Sequence, residues 1–220
     1  EDSDLIIHIG RWVLAEACAQ MGRWRAARPD LEHLQVGVNL SARQFTDPDL
    51  VSMVADALAR AGIPPRSLSL EITESVLMEE AEATTETLRA LKQLGVCLSI
   101  DDFGTGYSSL SYLKRFPVDV VKIDRSFVGG LGVDPEDHVI VSAVVSLAHA
   151  LGLEVVAEGV ETALQLQELR RLGCDAAQGY LIGRPRAVGE EGPAARRRPQ
   201  PRRLPELLHS TADPADVGIR

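Results

Sequence analysis

"LKQLGVCLSID", residues 91–101, runs from a helical pattern through a single glycine into a short strand that ends on an acid. Leu88, Leu91 and Leu94 recur at helical spacing before the glycine. Gly95 falls just past the helix end, where the chain needs the left-handed backbone that glycine adopts cheaply. After it, Leu98 and Ile100 alternate with Ser99 and Asp101. The same unit returns in "LARAGIPPRSLSLEIT" (58–73), "AHALGLEVVAE" (148–158) and "LRRLGCDAAQGY" (169–180), around Gly62, Gly152 and Gly173.

Working outward, strands are expected at 36–41, 68–73, 96–101, 118–124, 154–159 and 176–182. Helices are expected around 10–27, 48–61, 80–94, 107–115, 136–151 and 162–172. This alternation predicts an α/β fold with a parallel sheet. Side-chain parity selects a barrel over an open sheet. Val36, Val38 and Leu40 oppose Gly37, Asn39 and Ser41, and Leu68, Leu70 and Ile72 oppose Ser69, Glu71 and Thr73. One face suits helices; the other is small or polar and places a functional group near the C-terminal end, as a barrel with its site at the C-terminal mouth requires. The expectation is therefore a TIM-type (β/α)8 barrel, incomplete here, with about six βα units. The missing strands are expected upstream of residue 1. Residues 1–186 form the expected domain, and residues 187–220, rich in Pro and Arg, a disordered tail.

The composition is that of a soluble globular chain, 45% hydrophobic and 25% charged. A net charge of −9 argues against polymeric nucleic acid or anionic membrane as a partner. Cys18, Cys97 and Cys174 are scattered and read as core thiols in a reducing, cytoplasmic setting. Nothing approaches the run of ~18 apolar residues that a membrane span needs.

The strand ends collect Asn39, Glu71, the Asp101–Asp102 pair, Lys122, Glu158, Glu161 and Gln178. Adjacent ionised acids repel one another unless positive charge meets them. Hard oxygen donors in this number suit Mg²⁺ or Mn²⁺, and two adjacent acids can bridge two ions. Gly104 and Gly106 let the backbone turn beside them. Lys122 either adds positive charge and positions water or serves as an ion-pair partner inside the barrel. His8, His33, His138, His149 and His209 all fall in helical or tail positions, away from the strand ends. The residues thus point to metal-assisted hydrolysis of a phosphodiester, without a Ser–His or Cys–His nucleophile.

"VNLSARQF" (38–45), "LEITESVLM" (70–78), "IDDFGTGYSSLSYLKRFPVDVVKID" (100–124), "VVAEGVE" (155–161) and "AQGYLIGRP" (177–185) resemble, in this order, the motifs of the bacterial EAL domain. The resemblance implies a modified eight-stranded barrel, two Mg²⁺ or Mn²⁺ ions, a homodimer, and hydrolysis of cyclic di-GMP to linear pGpG in second-messenger signalling. It makes Asn39, Glu71, Asp101, Asp102 and Glu158 the metal ligands and Lys122 the residue that orients the nucleophilic water. Glu74 would hold the loop after Asp102, and Glu161 and Gln178 would line the substrate and metal rim. The "EAL" signature itself is absent from the chain and is expected upstream, as is a sensory or GGDEF-type domain and any membrane tether. The competing reading is a non-catalytic cyclic di-GMP receptor, or a pseudo-enzyme fragment acting through protein contacts.

Overall fold

The structure, a computed structural model, describes residues 5–28, 34–78, 81–106, 113–188 and 202–203. The chain divides into two compact units, Glu1–Lys122 and Ile123–Arg220.

The first unit opens with helix α1 (Leu5–Ala27), followed by β1 (Val36–Leu40), the single turn α2 (Ala42–Phe45) and α3 (Leu50–Ala61). β2 (Leu68–Thr73), α4 (Glu74–Met78), α5 (Ala81–Leu94), β3 (Cys97–Phe103) and β4 (Val120–Ile123) complete it, the last residue of β4 opening the second unit. β1, β2 and β3 are parallel neighbours, with Asn39 paired to Glu71 and Thr73 to Asp101. The expected alternation is met: Val38, Leu40, Leu68, Leu70 and Ile72 are buried, whereas Gly37 and Asn39 are exposed. Leu50, Val54 and Leu58 from α3 and Leu88 and Leu91 from α5 supply the buried helix faces. Burying side chains of this size contributes about 1.5–3 kcal/mol each, before the entropy of ordering them.

The second unit contains α6 (Arg125–Gly129), α7 (Pro135–Ala150), β5 (Glu154–Ala157), α8 (Ala163–Leu172) and β6 (Ala176–Ala177). β5 and β6 are parallel. Arg202–Arg203 forms β7, antiparallel to β6; the rest of the expected tail from residue 189 lies outside the described residues. Asp124 and Asp134 cap the N-termini of α6 and α7, and Thr162 and Gln165 form a reciprocal capping box on α8.

The four glycines that punctuate the repeated unit adopt the left-handed backbone expected of them, with φ between 63° and 90°. The strand ends fall short of the sequence expectation for a local reason. β5 stops at Ala157, before left-handed Gly159 (φ 69°). β6 stops at Ala177, because Gly179 lies so close to the Val160 backbone that a Cβ there would be 2.2 Å from its nitrogen. Residues 178–183 fold into a turn, with Gln178 and Leu181 bonded to Val160. Most of the helix expected at 107–115 lies outside the described residues. No helix among the described residues is long and apolar enough to cross a membrane.

Candidate metal centre and active site

The first unit gathers three of the expected site residues at bonding distance. Lys122 Nζ donates to Glu71 Oε2 at 2.6 Å and to Asp101 Oδ1 at 2.9 Å. Parallel pairing explains the arrangement, since Glu71 on β2, Asp101 on β3 and Lys122 on β4 all lie toward the C-terminal ends of successive strands. Lys122 is only 6% exposed and Asp101 9%. An ammonium so far from water is tolerable only when paired, and a buried pair that loses one partner is strongly destabilised. Both expectations for Lys122 are therefore compatible with its geometry: it is an ion-pair partner, and it sits among the acids.

Asp102 adds a further carboxylate, with one oxygen within 4.8 Å of an Asp101 oxygen. Its backbone is left-handed (φ 53°), and Asp102 is the one non-glycine with positive φ among the described residues. Such a conformation costs about 1–2 kcal/mol for an L-residue and persists where the surroundings fix it. Here its carbonyl accepts from the Thr105 amide and hydroxyl. Glu74, 3% exposed at the start of α4, accepts from the Gly104 amide at 3.1 Å and so ties the loop after β3 to β2. A Cβ on Gly106 would come within 2.9 Å of the same carboxylate, so a larger residue there would have to displace it.

Asn39 is exposed at the end of β1, in register with Glu71. Gly37 was on the small face of β1 in sequence, but its role emerges only here: a Cβ would lie 2.3 Å from Glu71 Oε1. A glycine inside a strand is the signal for such a close approach. Lys122 is paired with Glu71 and Asp101, with the Asp102 carboxylate beside Asp101, so the donor set among the described residues is oxygen-rich and fits a hard divalent ion.

In the second unit, Glu158 follows β5 and is half-buried, its amide donating to Ile123 O at 3.1 Å. Exposed Glu161 precedes α8, its amide bonded to Gln165 Oε1. Gln178 is exposed just past β6. The structure puts all three in loops beyond strand ends, whereas the sequence expectation places Glu158 and Gln178 within strands 154–159 and 176–182. Cys18 and Cys174 are buried, and burial pushes their thiols up, to about 11 and about 12.

The sequence motifs and this cluster converge in one finding, that the EAL domain family model matches residues 1–185. The chain belongs to the EAL domain family. Among curated relatives, the bifunctional diguanylate cyclase/cyclic di-GMP phosphodiesterase MucR of Pseudomonas aeruginosa is 51% identical over 187 residues, 84% of this chain and 27% of that protein. The chain spans about a quarter to a third of the length of the curated relatives it matches. The solved PaMucR phosphodiesterase in complex with c-di-GMP aligns with TM-score 0.80 at 50% identity, covering 84% of this chain and 74% of that one. The solved EAL domain of Mycobacterium smegmatis DcpA aligns with TM-score 0.78 at 48% identity, covering 83% and 81%. The fold this EAL domain shares with them is of the expected α/β, modified (β/α)8 class.

Proposed function

We propose that the protein carrying this EAL domain is a metal-dependent phosphodiesterase that hydrolyses cyclic di-GMP to linear pGpG. The observation that carries the reading is the Glu71–Lys122–Asp101 constellation at 2.6 and 2.9 Å on successive strand ends, in a chain half identical to a cyclic di-GMP phosphodiesterase. Asn39, Glu71, Asp101, Asp102 and Glu158 would hold Mg²⁺ or Mn²⁺, in a two-ion site. Bound there, the ions supply Lewis-acid stabilisation of the charge that builds on the phosphoryl oxygens.

The chain's own residues then do the positioning. Lys122 keeps the Glu71 and Asp101 carboxylates apart and aimed, and its ammonium orients the attacking water. Water adds to phosphorus in line, the bond to the 3′ oxygen breaks, and that oxygen takes up a proton, leaving a linear product with a 5′ phosphate. Glu74 holds the loop that follows Asp102, and Glu161 and Gln178 line the rim. The homodimer and a GGDEF-type partner domain belong to the same reading; MucR's name joins a diguanylate cyclase to its phosphodiesterase.

The test is cyclic di-GMP turnover by the full-length protein with Mg²⁺ or Mn²⁺ and with EDTA. Asp101→Ala and Lys122→Ala should each lower kcat at least about a hundredfold, with circular dichroism unchanged in the presence of the ion. An active Asp101→Ala enzyme would refute the mechanism. Saturable binding of cyclic di-GMP without turnover in the wild type would make the protein a receptor.

A further inference from the structure

Gly10 lies inside a 23-residue helix, where glycine is a poor choice, costing backbone entropy that alanine does not. The structure supplies a reason. A Cβ on Gly10 would fall 1.9 Å from Gln44 Nε2 and 2.3 Å from Gln44 Cδ, so the side chain of Gln44 occupies the notch that the glycine leaves in α1. Gln44 is 4% exposed. Its Oε1 accepts from the Ser41 amide at 3.3 Å and the Ser41 hydroxyl at 2.9 Å, while the Gln44 backbone amide donates to Ser41 Oγ at 3.3 Å. Ser41 is thereby fixed, and Ser41 stands two residues beyond Asn39, at the point where β1 becomes α2.

We propose that Gly10 and Gln44 are a positioning pair for Asn39: the notch in α1 seats Gln44, Gln44 fixes Ser41, and the fixed turn aims Asn39 at the divalent ion. The inference rests on the reading of Asn39 as a metal ligand. Neither residue touches the ion. The glutamine could swing away from an added methyl group in an open environment; here it would have to surrender both bonds to Ser41. Residues that hold metal ligands in place typically govern affinity by 10–100-fold.

The experiment measures Mn²⁺ binding by electron paramagnetic resonance, and thermal unfolding without metal, on the full-length protein. The variants are Gly10→Ala, Gln44→Ala and the double variant. We expect Gly10→Ala and Gln44→Ala each to weaken Mn²⁺ binding about tenfold, and the double variant to be no weaker than Gln44→Ala alone. The same methyl group should lower Tm in the wild-type background and raise it in the Gln44→Ala background, where the notch is empty and alanine's helix preference is free to act. Gln44→Met, which refills the notch without an acceptor, serves if Gly10→Ala does not fold; it should bind Mn²⁺ as weakly as Gln44→Ala. Wild-type binding with unchanged affinity in the variants, or Tm changes of the same sign in both backgrounds, overturns the positioning role. A wild type that fails to bind Mn²⁺ overturns the metal-site reading itself, and the inference falls with it.

Discussion

Two strand roots, one in each unit, are built to the same plan with different chemistry. In the first, Asp119 donates its amide to Leu98 O at 2.9 Å and accepts the Leu98 amide on Oδ2 at 2.8 Å, with Lys92 Nζ on both carboxylate oxygens. In the second, Asp175 donates to Val155 O at 3.1 Å and accepts the Val155 amide on Oδ2 at 2.8 Å, with His149 Nε2 on the same oxygen. The spacings coincide. Lys92 and His149 each precede the helix-ending glycine by three residues, and Leu98 and Val155 each follow it by three. Three residues further along the strands stand Asp101 and Lys122 in one unit, Glu158 and Gln178 in the other. A clamp at the strand root thus fixes the register from which each expected site residue is counted. The clamps stand at one end of the strands and the expected site residues at the other, the division expected of this fold class. What differs is the wrapping: lysine against histidine, and Val118 against Cys174 as the residue before the aspartate.

The largest effect should come from deleting an aspartate. Leu98 and Val155 are both fully buried, and an amide left without its acceptor costs about 1–3 kcal/mol. Asp119→Ala and Asp175→Ala should therefore each destabilise by about 2 kcal/mol in urea unfolding; a silent Asp175→Ala would break the equivalence of the two roots.

Next comes the cysteine. Burial chiefly holds the Cys174 thiol neutral up to about 12, against 9.0 for an unperturbed thiol. An unfolded chain ionises this group first, so the stability it contributes is complete below pH 9 and is lost as pH climbs from 9 towards 12. The slope is at most about 1.4 kcal/mol per pH unit. Cys174→Val, which copies Val118, should match the wild type near pH 7 and unfold less readily at pH 10.5. Identical pH profiles would show that the thiol is not protected.

The cations should matter less. Lys92, Asp119 and Asp175 are about a third exposed and His149 slightly more, so Lys92→Met should cost about 0.5 kcal/mol and lose that cost in high salt. The smallest effect should belong to Arg170, which precedes Gly173 by the same three residues. Its buried Nε has no hydrogen-bond partner among the described residues, and Arg170→Met should stay within about 0.5 kcal/mol of the wild type.

Much of this order was legible in the sequence because it rests on local constraints. Gly62, Gly95, Gly152 and Gly173 announce helix ends through a backbone conformation few other residues accept, and the alternation in "SLSLEIT" reports two unlike faces. The strand-end acids were legible for a related reason, since a charged residue closing an apolar run needs a use. Contacts between segments distant in sequence were not. Nothing in "VVKID" says that Lys122 reaches Glu71, 51 residues away, and nothing near Gly10 names Gln44. The single turns α2, α4 and α6 are too short to show a period. Expected ends of β5 and β6 ran long because a left-handed glycine (Gly159) or one pressed against another backbone (Gly179) looks the same in sequence as any other glycine.

The left-handed backbone at Asp102 limits how this domain can be improved by engineering. Glycine is the residue that its φ of 53° favours, and a stability screen scoring only folding would select it. That substitution removes a carboxylate from the acidic cluster. A library designed for thermal tolerance should keep position 102 fixed, and a homologue with glycine there would be expected to have gained robustness while losing a carboxylate of the acidic cluster.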